Sequence, residues 1–329
     1  MLLLKKIKIY FRLFRNFQKI AKVKSIYFFI FTMPVFGYIF YLIGKFSLKI
    51  NSKKIIIFLF QKKIFLSTIR FFDIESLKKI SKILPAYNQF NNELPDQCMV
   101  NGLNGTKIIN NLKEYGHASL GKIFTENECN NLIKYLENKL CYNSQTPMQS
   151  EGNQIIFNYK NIINDLNKNA YYSFDPDIVS DYAPLKQFLN NENLINLINN
   201  YLNFENSIYS SVTWFNPPTK EQHYVYSNHR DNDDFKFLGM IIYWSNVDIK
   251  SGATCIVEKS HVKNNQTSMK NLEGIAGTVF LVDLSAMHSG TSIENKERFS
   301  TFLRFGKSFN HCTVIDCWAQ TPGLAQKHL

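Results

Sequence analysis

The sequence predicts an α+β protein with an antiparallel barrel or double-sheet jelly roll at its core. Flanking helices and a basic, apolar helical segment precede that core. Three observations carry this reading. Helical patterns come first in the chain and short strand patterns follow. The strand patterns alternate with period two and are separated by glycine turns. The basic charge is concentrated at one end.

That charge is the first element to justify. The chain has 329 residues, with 38 Lys and Arg against 26 Asp and Glu, a formal charge of +12. Residues 1–80 hold 17 Lys and Arg and only two acids, Asp73 and Glu75. The remaining residues hold 21 basic against 24 acidic side chains. A basic segment therefore precedes a near-neutral body. This argues against a compact nucleic-acid-binding domain and for a separate element that meets an anionic surface.

Within residues 2–24, Lys5, Lys8, Arg12, Arg15, Lys19 and Lys22 recur at steps of three and four and form one stripe. Leu3, Ile7, Tyr10, Phe14, Phe17 and Ala21 form another. This is the pattern of a helix lying in a membrane interface, with cations among anionic headgroups. Ile26 to Gly44 follows, nineteen residues without a charge, interrupted by Pro34 and Gly37. Basic residues flank it on both sides, so the positive-inside rule sets no orientation. A re-entrant or hairpin insertion fits better than a single pass, and a buried aromatic hairpin is the alternative. No cleavable signal peptide is evident. Membrane contact through residues 2–44, on the cytoplasmic face, is the expectation.

From residue 84 the composition turns polar and reads as a linker. Thr125-x-x-Glu128 is a capping box opening a helix that is expected to run to about Leu140, with Ile133 and Leu136 buried. A second helix covers about Leu185–Leu202. Period-two runs follow in SIYSSVTWF, FLGMIIYWSNV, ATCIVE, GTVFLVD and RFSTFLRFG, with Gly252, Gly274 and Gly277 at turns. The six cysteines, Cys98, Cys129, Cys141, Cys255, Cys312 and Cys317, show no zinc-like spacing and read as free thiols. Cys312 and Cys317 alone invite a disulfide.

Of seven histidines only His229 has an acid two residues on, Asp231. Residues i and i+2 of a strand share a face, so both can reach one metal ion. Alone, the motif is weak. His288 lies 59 residues later at the end of a strand-like run, and Arg298 opens the strand beyond it. Two histidines, one carboxylate and open positions make the facial triad of non-haem Fe(II) oxygenases. An arginine nearby offers a fixed fork for a distal carboxylate.

With these residues in place, the chain resembles the phytanoyl-CoA dioxygenase-like family of Fe(II)/2-oxoglutarate oxygenases over about residues 112–308. GHASLGKIFTENECNNLI resembles the family's first strand and helix. HRDNDDFKFLGMIIYWSNVDIKSGATCIVEKSH and GTVFLVDLSAMHSGTSIENKERFSTFLRF resemble its iron-binding and arginine regions. The resemblance implies a double-stranded β-helix (cupin-like) core. It implies Fe(II) on His229, Asp231 and His288, with 2-oxoglutarate and O2 as co-substrates. It implies Arg298 on the far carboxylate, aided by Ser300, with Trp244 lining the co-substrate pocket. Glu258-Lys259 replaces the family's usual Pro-Gly before Ser-His, and the intact Asp231 disfavours a halogenase.

The chain then divides into a membrane-associating segment 1–83, a linker 84–111, an oxygenase domain 112–308 and a tail 309–329. The substrate is a small molecule, a lipid or acyl chain, or a carbohydrate, hydroxylated with release of succinate and CO2. The alternative is a membrane-tethered, non-catalytic binding module. Several residues stay open. Arg304 shares the face of Arg298 and competes for its role. Arg230 faces away from Asp231 on an ideal strand, toward a salt bridge or a substrate. Adjacent Tyr243 and Trp244 point to opposite faces, so one of them is core. His261 caps a turn, while Asn228, His223 and Tyr226 sit near the ligand strand.

The charge pattern makes one prediction. Full-length protein floats with vesicles containing anionic lipid, and a chain lacking residues 1–80 stays in the dense fraction. A full-length chain that never floats contradicts the anchor.

Overall fold

The structure, a computed structural model, describes residues 34–50, 53–60, 72–89, 94, 98–143, 154–165, 169–219, 228–231, 234–262 and 268–307. The expected helix at residues 2–24, His223, Tyr226, the Cys312–Cys317 pair and the tail lie outside them. The chain falls into two compact units.

The first unit contains helices α1 (Pro34–Lys49), α2 (Lys53–Phe60) and α3 (Ile74–Ile83), followed by a 3-10 turn at Pro85–Tyr87. Proline is tolerated in a first helical turn, where its missing N–H has no partner to lose. Pro34 accordingly opens α1 rather than breaking it. Of the run Ile26–Gly44, residues 34–44 belong to α1, which continues past the run to Lys49, and residues 26–33 lie outside the described residues. Sixteen residues span roughly 24 Å at ~1.5 Å each. No helix among the described residues is long and apolar enough to cross a membrane. On α1, Gly44 and Ser47 are buried while Leu42, Ile43 and Phe46 are exposed, as is Ile50 just beyond it. Asp73 caps α3 by accepting from the Ser76 amide at 2.8 Å, and Leu77, Ile80 and Leu84 form its buried stripe.

The second unit opens with the hairpin β1 (Met99–Val100) and β2 (Leu103–Asn104), joined through Asn101-Gly102. Next comes α4 (Gly105–Tyr115). Its first turns lie where a linker was expected. Asn104 accepts from the Lys107 amide, and Ile108, Ile109 and Leu112 are buried, so the segment carries its own cap and apolar face. Then follow β3 (His117–Lys122), α5 (Glu126–Leu136), β4 (Leu140–Tyr142), β5 (Gln154–Ile156), α6 (Tyr159–Asn164) and β6 (Tyr172–Phe174). Both bonds of the Thr125–Glu128 capping box are present. The helix ends at Leu136, short of Leu140, because Asn138 turns into the left-handed region and Leu140 begins a strand. Its buried residues are Cys129, Leu132 and Leu136, whereas Ile133 is half-buried. After α7 (Pro176–Ser180), the single helix expected over Leu185–Leu202 is two, α8 (Ala183–Leu189) and α9 (Glu192–Leu202). Asn191 breaks it by capping α9, accepting from Leu194 N at 3.1 Å.

The remaining strands are β7 (Ser207–Asn216), β8 (Leu238–Tyr243), β9 (Thr254–Val257), β10 (Met269–Leu272), β11 (Thr278–Asp283), β12 (His288–Gly290) and β13 (Arg298–Gly306). One antiparallel sheet has the order β3-β11-β8-β13-β7-β6-β4-β5, and a second has β10-β9-β12. His229 extends the second sheet by bridging to His288. From β7 onward the chain passes repeatedly between the two sheets, as a cupin-like double-sheet arrangement requires. Ile241, Tyr243, Phe280 and Val282 of the large sheet pack with Ile256 and Leu272 of the small one. On the outer face of the large sheet, Phe299 meets Phe215, Phe174 and Phe157 at centroid distances of 5.6, 5.9 and 6.2 Å.

Strand β13 lies centrally, paired with β7 and β8. Its residues alternate. Phe299, Thr301, Leu303 and Phe305 face outward to the aromatic layer, and Arg298, Ser300, Phe302 and Arg304 face the space between the sheets.

Gly277 closes the turn into β11 with φ +91°, and a Cβ there would fall onto the Phe124 carbonyl oxygen. Its amide donates to Tyr243 O at 2.7 Å. Gly277→Ala should therefore destabilise the protein by more than about 1 kcal/mol, read as a lowered denaturant midpoint. An unchanged midpoint contradicts this packing.

Candidate metal centre

The site is assembled by one backbone pair. His229 N donates to His288 O at 2.9 Å, and His288 N donates to His229 O at 2.9 Å. Such reciprocal bonding places two residues directly opposite on neighbouring strands with side chains on one face. The two rings accordingly lie 4.5 Å apart, tilted by 54°. Two residues on, the Asp231 amide donates to Leu284 O at 3.2 Å, which keeps the segment extended. Asp231 thus projects to the same side as His229.

The structure brings His229, Asp231 and His288 together, with one donor atom from each within 4.8 Å of the others. His229 Nε2 is 3.8 Å from Asp231 Oδ1, and His288 Nε2 is 3.9 Å from Asp231 Oδ2. His288 Nδ1 is 2.9 Å from Ala286 O. A carbonyl only accepts, so Nδ1 carries the proton and Nε2 keeps its lone pair toward the carboxylate. Burial pushes the His288 pKa down, opposed by the charge of Asp231. The neutral, metal-binding form is the favoured one. The side chains of His288 and Asp231 are 11% and 13% exposed and that of His229 is 33% exposed, so the triad is open on the His229 side.

Arg304 also converges here. Its Nη2 lies 3.2 Å from Asp231 Oδ2, and its guanidinium sits 5.4 Å over the Phe302 ring. Arg304 therefore does not duplicate Arg298 but meets the acid of the triad. Arg230 points away, as its strand position implies. Its Nη1 donates to Ser260 O at 2.7 Å and to Ser285 O, so it ties two loops through their carbonyls. His261 is buried with Nε2 3.0 Å from Lys113 O, away from the triad. Asn228 is exposed beside His229. Glu258, at the altered rim turn, meets His117 at 3.0 Å and accepts from Ser268 at 2.6 Å.

Arg298 is buried at the start of β13, opposite Asn216 of β7. Its Nε and Nη2 donate to Asn216 Oδ1 at 3.2 and 3.1 Å, and its Nη1 donates to Gly252 O. Asn216 Nδ2 in turn donates to Ala170 O at 2.8 Å, which fixes the amide with its oxygen toward the arginine. A guanidinium has five N–H groups. These bonds engage three, leaving one on each terminal nitrogen, the pair that grips a carboxylate bidentately. Gly252 has φ +89°, and a Cβ there would come within 3.3 Å of Arg298 Nη1 and 2.6 Å of Ile293. Ser300 is buried two residues on, on the same face.

Trp244 is not brought to this face. Its indole N–H donates to Thr301 Oγ1 at 2.8 Å, and its ring packs on Phe124 at 4.7 Å. These are outward residues, so the expectation that Trp244 lines a co-substrate pocket is corrected. The inward position belongs to Tyr243, in register with Ser300. Tyr243 O–H donates to Leu272 O at 2.9 Å and accepts from Thr254 N at 3.2 Å. Sequence reasoning also passed over Asn216 and read Gly252 only as a turn residue. Asn216 ends β7, and only the β7–β13 register reveals it beside Arg298.

No known protein family and no curated protein matches the chain. Solved structures similar to it include the non-heme alpha ketoglutarate dependent epimerase SnoN from nogalamycin biosynthesis. That match has 12% identity and a TM-score of 0.45, covering 62% of this chain and 82% of that one. HygX from Streptomyces hygroscopicus, solved with nickel and 2-oxoglutarate bound, is 11% identical with a TM-score of 0.44, over 62% of this chain and 87% of HygX. AviO1 from Streptomyces viridochromogenes Tue57 is 13% identical with a TM-score of 0.40, over 62% and 96%. At these identities and TM-scores, likeness carries no chemistry over to this chain.

Proposed function

We propose that the protein is an Fe(II)- and 2-oxoglutarate-dependent oxygenase of the phytanoyl-CoA dioxygenase-like kind, with a double-stranded β-helix core. The observation that carries this is a pair of features that face the space between the two sheets from opposite sides, joined by the contact of Arg304 on β13 with Asp231. One is a two-histidine, one-carboxylate set open on a single side. The other is a buried arginine with one N–H left on each terminal nitrogen. The donor set fits the metal, because imidazole nitrogen with one carboxylate and open positions suits ferrous iron. Cis ligands of an ion at roughly 2.1 Å lie roughly 3 Å apart, and the three donors need only draw in from 4.8 Å or less. When bound, Fe(II) with 2-oxoglutarate and O2 supplies an oxidant able to hydroxylate an unactivated C–H bond, releasing succinate and CO2.

The chain's own residues bind and orient. His229, Asp231 and His288 hold the ion, and the Ala286 carbonyl fixes the His288 tautomer. Arg298 takes the far carboxylate of 2-oxoglutarate, with Ser300 beside it. Tyr243 closes the inner wall, while Trp244 supports β13 from outside. Burial of Arg298 and of the Asn216 amide that aims it keeps water from competing for the carboxylate.

The substrate we propose is a small molecule, a lipid or acyl chain, or a carbohydrate, met on the cytoplasmic side of an anionic membrane. The membrane contact is supported by exposed Leu42, Ile43, Phe46 and Ile50 beside exposed Lys45 and Lys49. One observation favours a non-catalytic binding module instead, namely that Asp231 already has a cationic partner in Arg304.

Three outcomes test the reading. Chelation should abolish conversion of 2-oxoglutarate to succinate and Fe(II) should restore it, whereas Asp231→Ala should never turn over. Arg298→Ala should raise the KM for 2-oxoglutarate on the order of 30- to 150-fold, from about 2–3 kcal/mol of lost charged hydrogen bonds. Trp244→Phe should lower thermal stability by about 1 kcal/mol through its lost bond to Thr301 and leave that KM unchanged. Succinate release that survives in Asp231→Ala contradicts the metal assignment.

A further inference from the structure

The proposed metal centre contains a cation of the protein's own. Asp231 is the acid of the triad, and Arg304 Nη2 lies 3.2 Å from its Oδ2. The same oxygen faces His288 Nε2 at 3.9 Å. Arg304 is 14% exposed, so solvent screens it little. Two features hold it in place. Its guanidinium lies over Phe302 of its own strand, and in register with it on β8 is Gly239, where a Cβ would meet Phe302 at 3.0 Å.

Charge counting then decides what Arg304 does. An imidazole that ligates a metal must be neutral, so Asp231 alone gives the ligand set a charge of −1, and Arg304 brings it to zero. A divalent cation entering a neutral site that includes a guanidinium gains little net attraction. A dicarboxylate arriving beside that cation restores the balance, with Arg298 left for its far end.

We propose that Arg304, by pairing with Asp231, couples the two halves of the site, weakening the hold on a divalent cation alone and strengthening it once a dicarboxylate is present. This rests on the oxygenase reading. It goes beyond that reading by assigning to Arg304 a thermodynamic coupling between cation and co-substrate. Arg304 is in this sense a positioning residue that acts through Asp231.

The test is a binding cycle on the full-length protein without turnover. Mn(II) dissociation constants are measured with and without 2-oxoglutarate, for wild type and Arg304→Gln. In wild type, 2-oxoglutarate should tighten Mn(II) on the order of tenfold or more. In Arg304→Gln, Mn(II) alone should bind more tightly than to wild type and the tightening by 2-oxoglutarate should shrink toward one. Arg304→Lys, which keeps the charge, should retain most of the coupling. Arg304→Met serves where the glutamine variant fails to fold. Equal coupling in wild type and the neutral variant overturns the proposal, as does weaker binding of Mn(II) alone to that variant. Wild-type binding of Mn(II) that is indifferent to Asp231→Ala is a different result, and it overturns the oxygenase reading itself.

Discussion

The site depends on the reciprocal backbone pair between His229 and His288. These two hydrogen bonds join the chain just before β8 to the chain just after β11. They settle which residues stand opposite one another, and so which side chains share a face. A slip of one residue would turn every side chain of the segment to the other side. His229 would then face away, Asp231 with it, and Arg230 would enter in their place. The Arg230 bonds to Ser260 O and Ser285 O oppose that slip, since they tie the intervening side chain to the outside. Ser260 is itself held, its hydroxyl donating to Val257 O and accepting from the Met287 amide.

The second constraint is the alternation of β13. One strand presents an aromatic face outward and a row of Arg298, Ser300, Phe302 and Arg304 inward. The outward row anchors the strand through Phe299, Leu303 and Phe305, all buried. The inward row then holds two largely buried guanidinium groups, which is tolerable only because each has carbonyl, amide or carboxylate partners. Asn216 and Gly252 serve Arg298, and Asp231 serves Arg304. The rigidity of these partners gives each arginine one direction in which to act.

Much of this was legible in the sequence. The i, i+2 spacing placed His229 and Asp231 on one side, and period-two runs matched β7, β8, β9, β11 and β13. The capping box at Thr125 was legible because its signal is local. The errors are of two physical kinds. Helix breaks at Asn138 and Asn191 were missed because asparagine competes with the helix through its own side chain and tolerates left-handed backbone. The Asn104 cap of α4 was overlooked in the same way. The other kind is long-range. Alternation showed that Tyr243 and Trp244 face opposite ways, but only pairing with β13 shows which is inward. Arg304 and Arg298 were equivalent by spacing, and the position of Asp231 across the sheets separates them. Asn216 carries no local signal at all.

A structure of the full-length protein grown with Mn(II) and 2-oxoglutarate tests the account most directly. Such crystals should hold one ion bonded by His229 Nε2, His288 Nε2 and an Asp231 oxygen, with the far carboxylate of 2-oxoglutarate on the Nη1–Nη2 edge of Arg298. An ion held elsewhere, or a carboxylate that avoids Arg298 while Asn216 and Gly252 keep their present bonds, contradicts it.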